Sequence, residues 1–335
     1  MKKIVFVSKN NAQLVDVEDR MPSFGEVRVK LAFSAISSGT ERSGLTGNEG
    51  AGKEFQIGFP VASGYSGSGI ITHVGDGVDG LHVGDAVMVH GGGHQQFCTV
   101  SANEVLPLPQ GVALDQAALV VIAGFSLAAI RKARLEIGNA CLVVGLGLLG
   151  LFAVQYAKLS GAYPVIAADF SSDRRELALK MGADVALDPM AADYAQQVKE
   201  LTDGGVAAAV EVTGNPKALK QTLACVRKFG KVVLLGCTRT ITEVDFYHDV
   251  HWPGIELIGA HSGARPRAES YPGMWTEMDD CRVTLDYLAA KRLDFAAMIS
   301  EYHSPNDAYD VYERLAFEKA FPIGVLFDWS LYQES

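Results

Sequence analysis

Cysteine is scarce and unpatterned in this sequence. The five that occur, Cys98, Cys141, Cys225, Cys237 and Cys281, are odd in number and form no Cys-x-x-Cys pair. That argues against a disulfide framework and suits free thiols in a reducing, cytoplasmic compartment. Long apolar runs are lacking as well. The most apolar stretch, Cys141 to Val154, is interrupted by three glycines and falls short of the roughly 20 residues a membrane span needs. Behind Met1-Lys2-Lys3 only the four apolar residues Ile4 to Val7 precede Ser8, so the start reads as a first β-strand and not as a signal peptide. Basic excess is missing too: 29 Lys and Arg against 39 Asp and Glu leave a net charge of −10. Nothing in that balance favours nucleic acid or an anionic membrane as partner. There is neither an internal repeat nor a low-complexity segment.

What is present is the composition of a folded chain, with 48% hydrophobic and 20% charged residues. At a prior of roughly 150 residues per domain, 335 residues suggest two domains. Up to about residue 120, short β-branched runs at Glu26–Lys30, Ser68–Thr72, Asp85–Val89 and Gln96–Val100 alternate with Gly and Asp turns, the pattern of a small irregular β-barrel or sandwich. From Ala140 to Gly263 the period changes. Apolar strands at 141–144, 164–168, 207–212, 231–235 and 255–259 alternate with helical patterns at 149–160, 171–181, 190–201 and 216–228, which predicts a parallel sheet covered on both faces. Helical stretches around 275–291 and 305–316 and a last strand at Ile323–Phe327 follow. This tail is too short for a domain of its own and is expected to pack back on the first. The predicted division is residues 1–122 with 264–335, and residues 123–263.

One unit of the second half carries chemistry. Cys141-Leu-Val-Val-Gly145-Leu-Gly147-Leu148-Leu149-Gly150 is a strand running into Gly-x-Gly-x-x-Gly and then a helix, and Asp169 follows Gly150 by 19 residues at the end of the next strand. A bare glycine motif would be weak; strand, glycines, helix, second strand and terminal acid together define a dinucleotide fingerprint. Gly145 permits the tight turn, Gly147 lets a pyrophosphate approach the helix amino terminus, and Gly150 lets that helix pack on the sheet. Asp169 would accept hydrogen bonds from an adenosine ribose and repel a 2′-phosphate, so NAD(H) is expected over NADP(H). Arg174 and Arg175 leave the phosphorylated cofactor open.

With these motifs in place, the chain resembles the medium-chain dehydrogenase/reductase superfamily over nearly its whole length. Phe24-Gly-Glu-Val-Arg-Val-Lys30, Ser37-Ser-Gly-Thr-Glu41, Gly64-Tyr65-Ser66, Val74-Gly-Asp-Gly-Val78, Val83-Gly-Asp-Ala-Val87, the glycine fingerprint, Val212-Thr213-Gly214 and Gly230-Lys-Val-Val-Leu-Leu-Gly236 carry the resemblance. It implies a GroES-like β-barrel catalytic domain, a Rossmann doubly wound parallel sheet, and a tail returning to the first domain. It also implies nicotinamide contacts near Thr213, Gly236 and His261, and a homodimer or higher homo-oligomer joined through the last Rossmann strand, Ile255–Gly259. Zinc members hold their metal with Cys, His and a third Cys, Asp or Glu. In this chain those positions fall on Ser38, Tyr65 and, near the third, Ala123, and the four-Cys structural lobe is replaced by Gly91-Gly-Gly-His94. Hydroxyls and a methyl do not make a zinc site, so no metal is expected. The pairing of Ser-Gly-Thr-Glu-Arg with Gly-Tyr-Ser is similar to a branch related to bacteriochlorophyllide, sugar and cyclitol dehydrogenases.

Without zinc, side chains must take the proton of the reacting hydroxyl. Tyr65 is the first candidate and Thr40 the second, with Glu41 beside them. A tyrosine pKa of about 10 is high for a base at neutral pH, so a relay to His94 or His261 is expected. The alternatives are a packed Tyr65, structural histidines, and a Glu41 that pairs with Arg42 or another base on the surface. His248-Asp249-Val-His251 could tempt a metal assignment, but its place between two sheet strands makes a helical ligand pair doubtful. Arg265, Arg267, Tyr271 and Trp275 form a loop suited to a polar or anionic substrate, or simply to solvent. The leading expectation is an NAD(H)-dependent, zinc-independent dehydrogenase of a secondary alcohol, with a sugar, cyclitol or related polyol as its small polar substrate. An NADPH-dependent enone or quinone reductase and a non-catalytic nicotinamide-binding protein are the competing readings.

Overall fold

The computed structural model describes residues 1–47, 58–318 and 320–334. The chain forms two compact units, residues 1–122 with 281–335 and residues 123–280. The first contains strands β1 (Lys2–Ser8), β2 (Asn11–Asp16), β3 (Glu26–Ala35), β4 (Val61–Ala62), β5 (Ser66–Val74), β6 (Ala86–His90), β7 (Phe97–Ser101) and β8 (Val105–Pro107), with helices α1 (Ser38–Thr46) and α2 (Leu114–Ala117). Helix α3 (Val120–Ala133) leads into the second unit, which contains β9 (Cys141–Val144), α4 (Leu148–Leu159), β10 (Val165–Ala168), α5 (Ser172–Lys180), β11 (Val185–Leu187), α6 (Tyr194–Leu201), β12 (Val206–Glu211), α7 (Pro216–Cys225), β13 (Val226–Leu234) and β14 (Glu256–Gly259). Helix α8 (Glu277–Ala289) leads back to β15 (Glu301–His303), α9 (Ala308–Phe317) and β16 (Val325–Asp328).

In the first unit β3 organises the sheet. One edge pairs antiparallel with β5, while the other is shared, Glu26–Lys30 with β7 and Phe33–Ala35 with β16. Register shifts between Arg28 and Val29 and between Leu31 and Phe33 accompany this exchange of partners, and such bulges bend a strand. At the bend the two chains are so close that a Cβ on Gly69 would lie 2.1 Å from the Lys30 carbonyl oxygen. The core draws on both ends of the chain: Ile4, Phe6, Val29, Leu31 and Ile71 are buried with Val311, Tyr312, Leu315, Phe327 and Trp329. The tail therefore contributes to the core of the first unit.

The second unit is a six-stranded parallel sheet ordered β11-β10-β9-β12-β13-β14. Every residue of β9, β10 and β12 is buried, which a sheet covered on both faces requires. Two elements were illegible in the pattern. Strand β11 is a half-buried three-residue edge, and α3 is apolar on nearly all sides until Arg131 and Lys132, so it carries no amphipathic period. The return to the first unit comes at Cys281 and not at 264. Lys132 donates 2.8 Å hydrogen bonds to the carbonyls of Gly259 and Ala264, and Arg131 pairs with Asp280 at 2.8 Å, so α3 holds residues 264–280 in the second unit.

If the tail is part of the first core, Phe327→Ala lowers its unfolding free energy by about 3–5 kcal/mol. Urea unfolding followed through Trp329 fluorescence, in a background with Trp252 and Trp275 replaced by Phe, measures this, and a midpoint unchanged from the parent would remove the tail from that core.

Candidate functional site

The second unit places its candidate residues at the carboxyl ends of neighbouring strands. Strand β9 lies between β10 and β12, its parallel neighbours on either side, and crevices at such a switch of strand order are where open α/β sheets bind ligands. Gly145 follows β9 with φ +93°, and a Cβ there would meet the Thr213 Cγ2 at 2.7 Å. A Cβ on Gly150 would lie 1.9 Å from the Gly145 carbonyl oxygen, whereas Gly147 has no atom within 4 Å of its Cβ direction. Gly145 and Gly150 are thus demanded by the fold itself, and Gly147 is not. Helix α4 begins behind Gly147 with no side-chain cap and no acid in its first turn, leaving its amino-terminal N–H groups suited to an anion. Leu148 is nearly buried, and Leu149 accepts a 2.8 Å bond from Ser126 at its carbonyl.

Asp169 does more than end β10. It is 5% exposed, and its carboxylate accepts the Leu146 N–H at 2.8 Å and the Ser171 N–H at 2.9 Å. One acid therefore ties the glycine turn to the start of α5. Arg175 donates to the Asp169 carbonyl oxygen at 2.7 Å and lies 3.5 Å from Asp188, while the Arg174 backbone N–H takes the Ser171 cap of α5. Glu211, which sequence reasoning missed, plays the matching part at the end of β12. Fully buried, it accepts from Thr213 N at 2.7 Å, Gly214 N at 3.1 Å and the Thr213 hydroxyl. Burial raises its pKa above the ordinary carboxylate range, against the pull of these donors. Gly236 closes the same corner, since a Cβ there would lie 2.5 Å from Gly214 N. Gly145, Thr213 and Gly236 are thus brought together. His261 is exposed beyond β14, its ring accepting the Gly263 N–H at 3.1 Å.

In the first unit the residues around α1 separate into a surface and a core. Thr40 is exposed. Glu41 is turned inward, 4% exposed, which corrects the expectation of a surface pair with Arg42. Its carboxylate accepts the Ser37 N–H at 2.8 Å and the Tyr312 hydroxyl, and faces His94 Nε2 at 3.1 Å. His94, proposed from the sequence as a relay with a structural histidine as the alternative, is fully buried, with Nδ1 2.7 Å from Ser34 Oγ, which accepts Trp329 Nε1–H at 2.9 Å. Burial and the Glu41 charge hold the Tyr312 phenol well above its ordinary pKa, so it stays a donor. The ring of His94 also explains Gly64: a Cβ there would lie 2.6 Å from His94 Cδ2. His94 therefore positions the turn ahead of Tyr65. The half-buried Tyr65 donates its hydroxyl proton to Ser37 Oγ at 2.7 Å. Ser66 donates to the Ala118 carbonyl oxygen at 2.6 Å, a structural bond.

At the positions that the resemblance aligns with zinc ligands, Ser38, Tyr65 and Ala123 offer hydroxyls and a methyl, groups that zinc does not favour. Among the described residues no three His, Cys, Asp or Glu side chains converge. Residues 246–251 do form a helical turn, but His248 is bound to Asp245 at 2.7 Å and His251 stacks on Tyr247.

A bent antiparallel unit and a parallel-sheet unit with a glycine turn at its switch point together define a nucleotide-dependent dehydrogenase architecture. Residues 24–110 match the alcohol dehydrogenase GroES-like domain, and residues 149–280 match the zinc-binding dehydrogenase domain. The L-threonine 3-dehydrogenase of Pyrococcus abyssi is 31% identical over 292 residues, covering 77% of this chain and 83% of that protein. The D-guloside 3-dehydrogenase of Escherichia coli K12 is 27% identical over 300 residues, covering 81% and 84%. A chain of Sinorhizobium meliloti 1021, solved with NADP bound, superposes with a TM-score of 0.81 at 21% identity, covering 98% of each chain. The chain belongs to the zinc-type medium-chain dehydrogenase/reductase superfamily.

Removing the Glu41 carboxylate strands three buried donors, each worth about 1–3 kcal/mol when left unpaired. Glu41→Leu is expected to lower stability by about 3 kcal/mol or more, with Glu41→Gln intermediate. Urea midpoints for the three proteins test this order, and equal midpoints would refute it.

Proposed function

We propose that the protein is an NAD(H)-dependent, zinc-independent dehydrogenase acting on a secondary alcohol or its ketone, with a sugar, cyclitol or related polyol as substrate. The observation that carries the reading is the Asp169 carboxylate fixed beside the glycine turn by Leu146 N–H at 2.8 Å. Its charge stands where a ribose 2′-hydroxyl is welcome and a 2′-phosphate is repelled. Arg175, the side chain best suited to soften that repulsion, is engaged by the Asp169 carbonyl and Asp188. The residues fit the cofactor: the uncapped start of α4 and the open space at Gly147 would hold its pyrophosphate, and Thr213 and Gly236 would stand toward its nicotinamide. When bound, the cofactor supplies the hydride acceptor.

The proton is left to this chain. Tyr65 would hydrogen-bond the substrate oxygen and, in the oxidation direction, take the carbinol proton as its own passes to Ser37 Oγ, its 2.7 Å partner, and the Ser37 hydroxyl releases its proton to water. Thr40 is the second hydroxyl available. His94, locked between Ser34 and Glu41, acts as a positioning residue for the Gly64-Tyr65 turn. Outside the site, four of five free cysteines are buried, in keeping with a reducing cytoplasm, and the sheet-edge strand β14 offers the pairing surface for a homodimer.

Two measurements test the reading. Chelator-treated protein is expected to reduce NAD⁺ in preference to NADP⁺ with a panel of polyols and cyclitols, followed by nicotinamide absorbance; activity lost to the chelator would overturn the zinc-free part, and turnover of enones with NADPH alone would overturn the whole. Tyr65→Phe is expected to lower kcat by about 10²- to 10⁴-fold with NAD⁺ affinity unchanged. An unaltered kcat would remove Tyr65 from the chemistry.

A further inference from the structure

Beyond the cofactor reading and independent of it, the second unit holds a cluster of charge that no proposed step uses. Arg265 is the centre. Its side chain is 3% exposed, and Nε, Nη1 and Nη2 are all buried without a hydrogen-bond partner. The nearest carboxylate oxygen, Asp280 Oδ2, is 3.7 Å from Nη1, beyond hydrogen-bonding distance. On one side the guanidinium lies 5.0 Å over the Phe125 ring. Around it stand Arg131, donating to Asp280 Oδ1 at 2.8 Å and stacked 3.8 Å over Trp275, and Lys132, held by the carbonyls of Gly259 and Ala264. These side chains line a cavity of about 10 Å³ together with Ala128, Met274 and Gly273, room for one water-sized sphere.

The charges do not balance. Three cations and the single carboxylate of Asp280 line the cavity, a formal excess of two positive charges. Arg265 cannot escape by losing a proton, since guanidinium stays charged in proteins. An uncompensated buried cation is costly, and so is each unmade hydrogen bond of its five donors. A water molecule accepts two hydrogen bonds at most and leaves the charge untouched. A small anion accepts several donors at once and cancels charge where it is buried. Its size is limited by the cavity to that of a single atom, and its charge by the excess.

We infer that Arg265, Arg131 and Lys132, with Trp275 and Asp280, form a binding site for a halide-sized monovalent anion, chloride in the simplest case. Bound there, the anion joins the loop after β14 to α3 through Arg265. The sequence singled out Arg265 and Trp275 as a loop for a polar or anionic substrate; the burial of Arg265 reassigns it to a small inorganic anion inside the unit.

The test uses the intact protein at constant ionic strength, with sodium gluconate replaced stepwise by sodium chloride. Chloride is expected to raise the thermal midpoint by about 2 °C or more once it is roughly ten-fold above its dissociation constant, and Arg265→Gln is expected to lose that increment. An equal response in both proteins, or none in the parent, would overturn the site. Because the variant could fail to fold, crystals of the unaltered protein soaked in sodium bromide give a second reading. An anomalous peak within hydrogen-bonding reach of Arg265 supports the site, and a cavity without one refutes it.

Discussion

A carboxylate taken out of water must be met by donors, and in the first unit that single requirement gathers segments remote in sequence. Glu41 collects the Ser37 amide at the start of α1, the His94 ring from the loop after β6, and the Tyr312 hydroxyl 271 residues away on α9. Each donor would be unsatisfied without it, and the charge unsatisfied without them. The arrangement is rigid because it is complete. Ser34 extends it to Trp329 near the carboxyl terminus, so the last strand and the first helix are fixed to one another by polar contacts as well as by the apolar core between them. Tyr65 inherits its position from this network: His94 fills the space beside Gly64, and Ser37, whose amide serves Glu41, accepts the Tyr65 hydroxyl at its Oγ.

The second unit uses the same device at strand ends. Asp169 after β10 and Glu211 at the end of β12 turn their carboxylates onto backbone N–H groups of the loops that follow β9 and β12. Irregular backbone at a sheet's carboxyl edge leaves amides that no ladder satisfies, and a short acid in place answers several at once. The consequence is preorganisation. Gly145 stands at φ +93° with Thr213 pressed against it, so the crevice between the two strands has its shape before any ligand arrives. In the NAD reading Asp169 thus serves twice, once toward Leu146 and once toward the ribose.

Legibility in the sequence followed from how local each signal is. Strands β9, β10 and β12 were readable because full burial makes them continuous apolar runs, and the glycine turn because Gly145 and Gly150 stand where a Cβ would clash, with Gly147 between them at the spacing of the fingerprint. Helix α3 was not readable: apolar on nearly every side, it shows no period, and its identity rests on what surrounds it. The roles of Glu41, His94 and Glu211 were hidden for a different reason. A glutamate inside a Ser-Gly-Thr-Glu-Arg segment looks like surface, and only the Tyr312 hydroxyl, supplied from the far end of the chain, reveals that it is buried. The later return at Cys281 was hidden likewise, because the cations that retain residues 264–280 belong to a helix with no amphipathic pattern.

In the zinc-free reading, hydroxyls in place of metal ligands have an electrostatic logic. A zinc ion stabilises a developing alkoxide by direct charge, and the thiolate and imidazole ligands exist to hold that charge in place. On that reading Ser38 and Tyr65 bring no charge, so a site there would move a proton instead of stabilising its absence. A phenol is suited to this only if its own proton has somewhere to go. Tyr65 has the first step of such a path, because its hydroxyl already donates to Ser37 at 2.7 Å, and Ser37 in turn must release its own proton to water. Had Glu41 pointed outward it would have supplied a negative charge beside the reacting oxygen, favouring the alcohol over the alkoxide and opposing hydride loss. Its burial against Tyr312 and His94 removes that charge from the surface of α1. In the zinc-free reading, the network that folds the first unit therefore also fixes Ser37, the hydrogen-bond partner of Tyr65, through its amide.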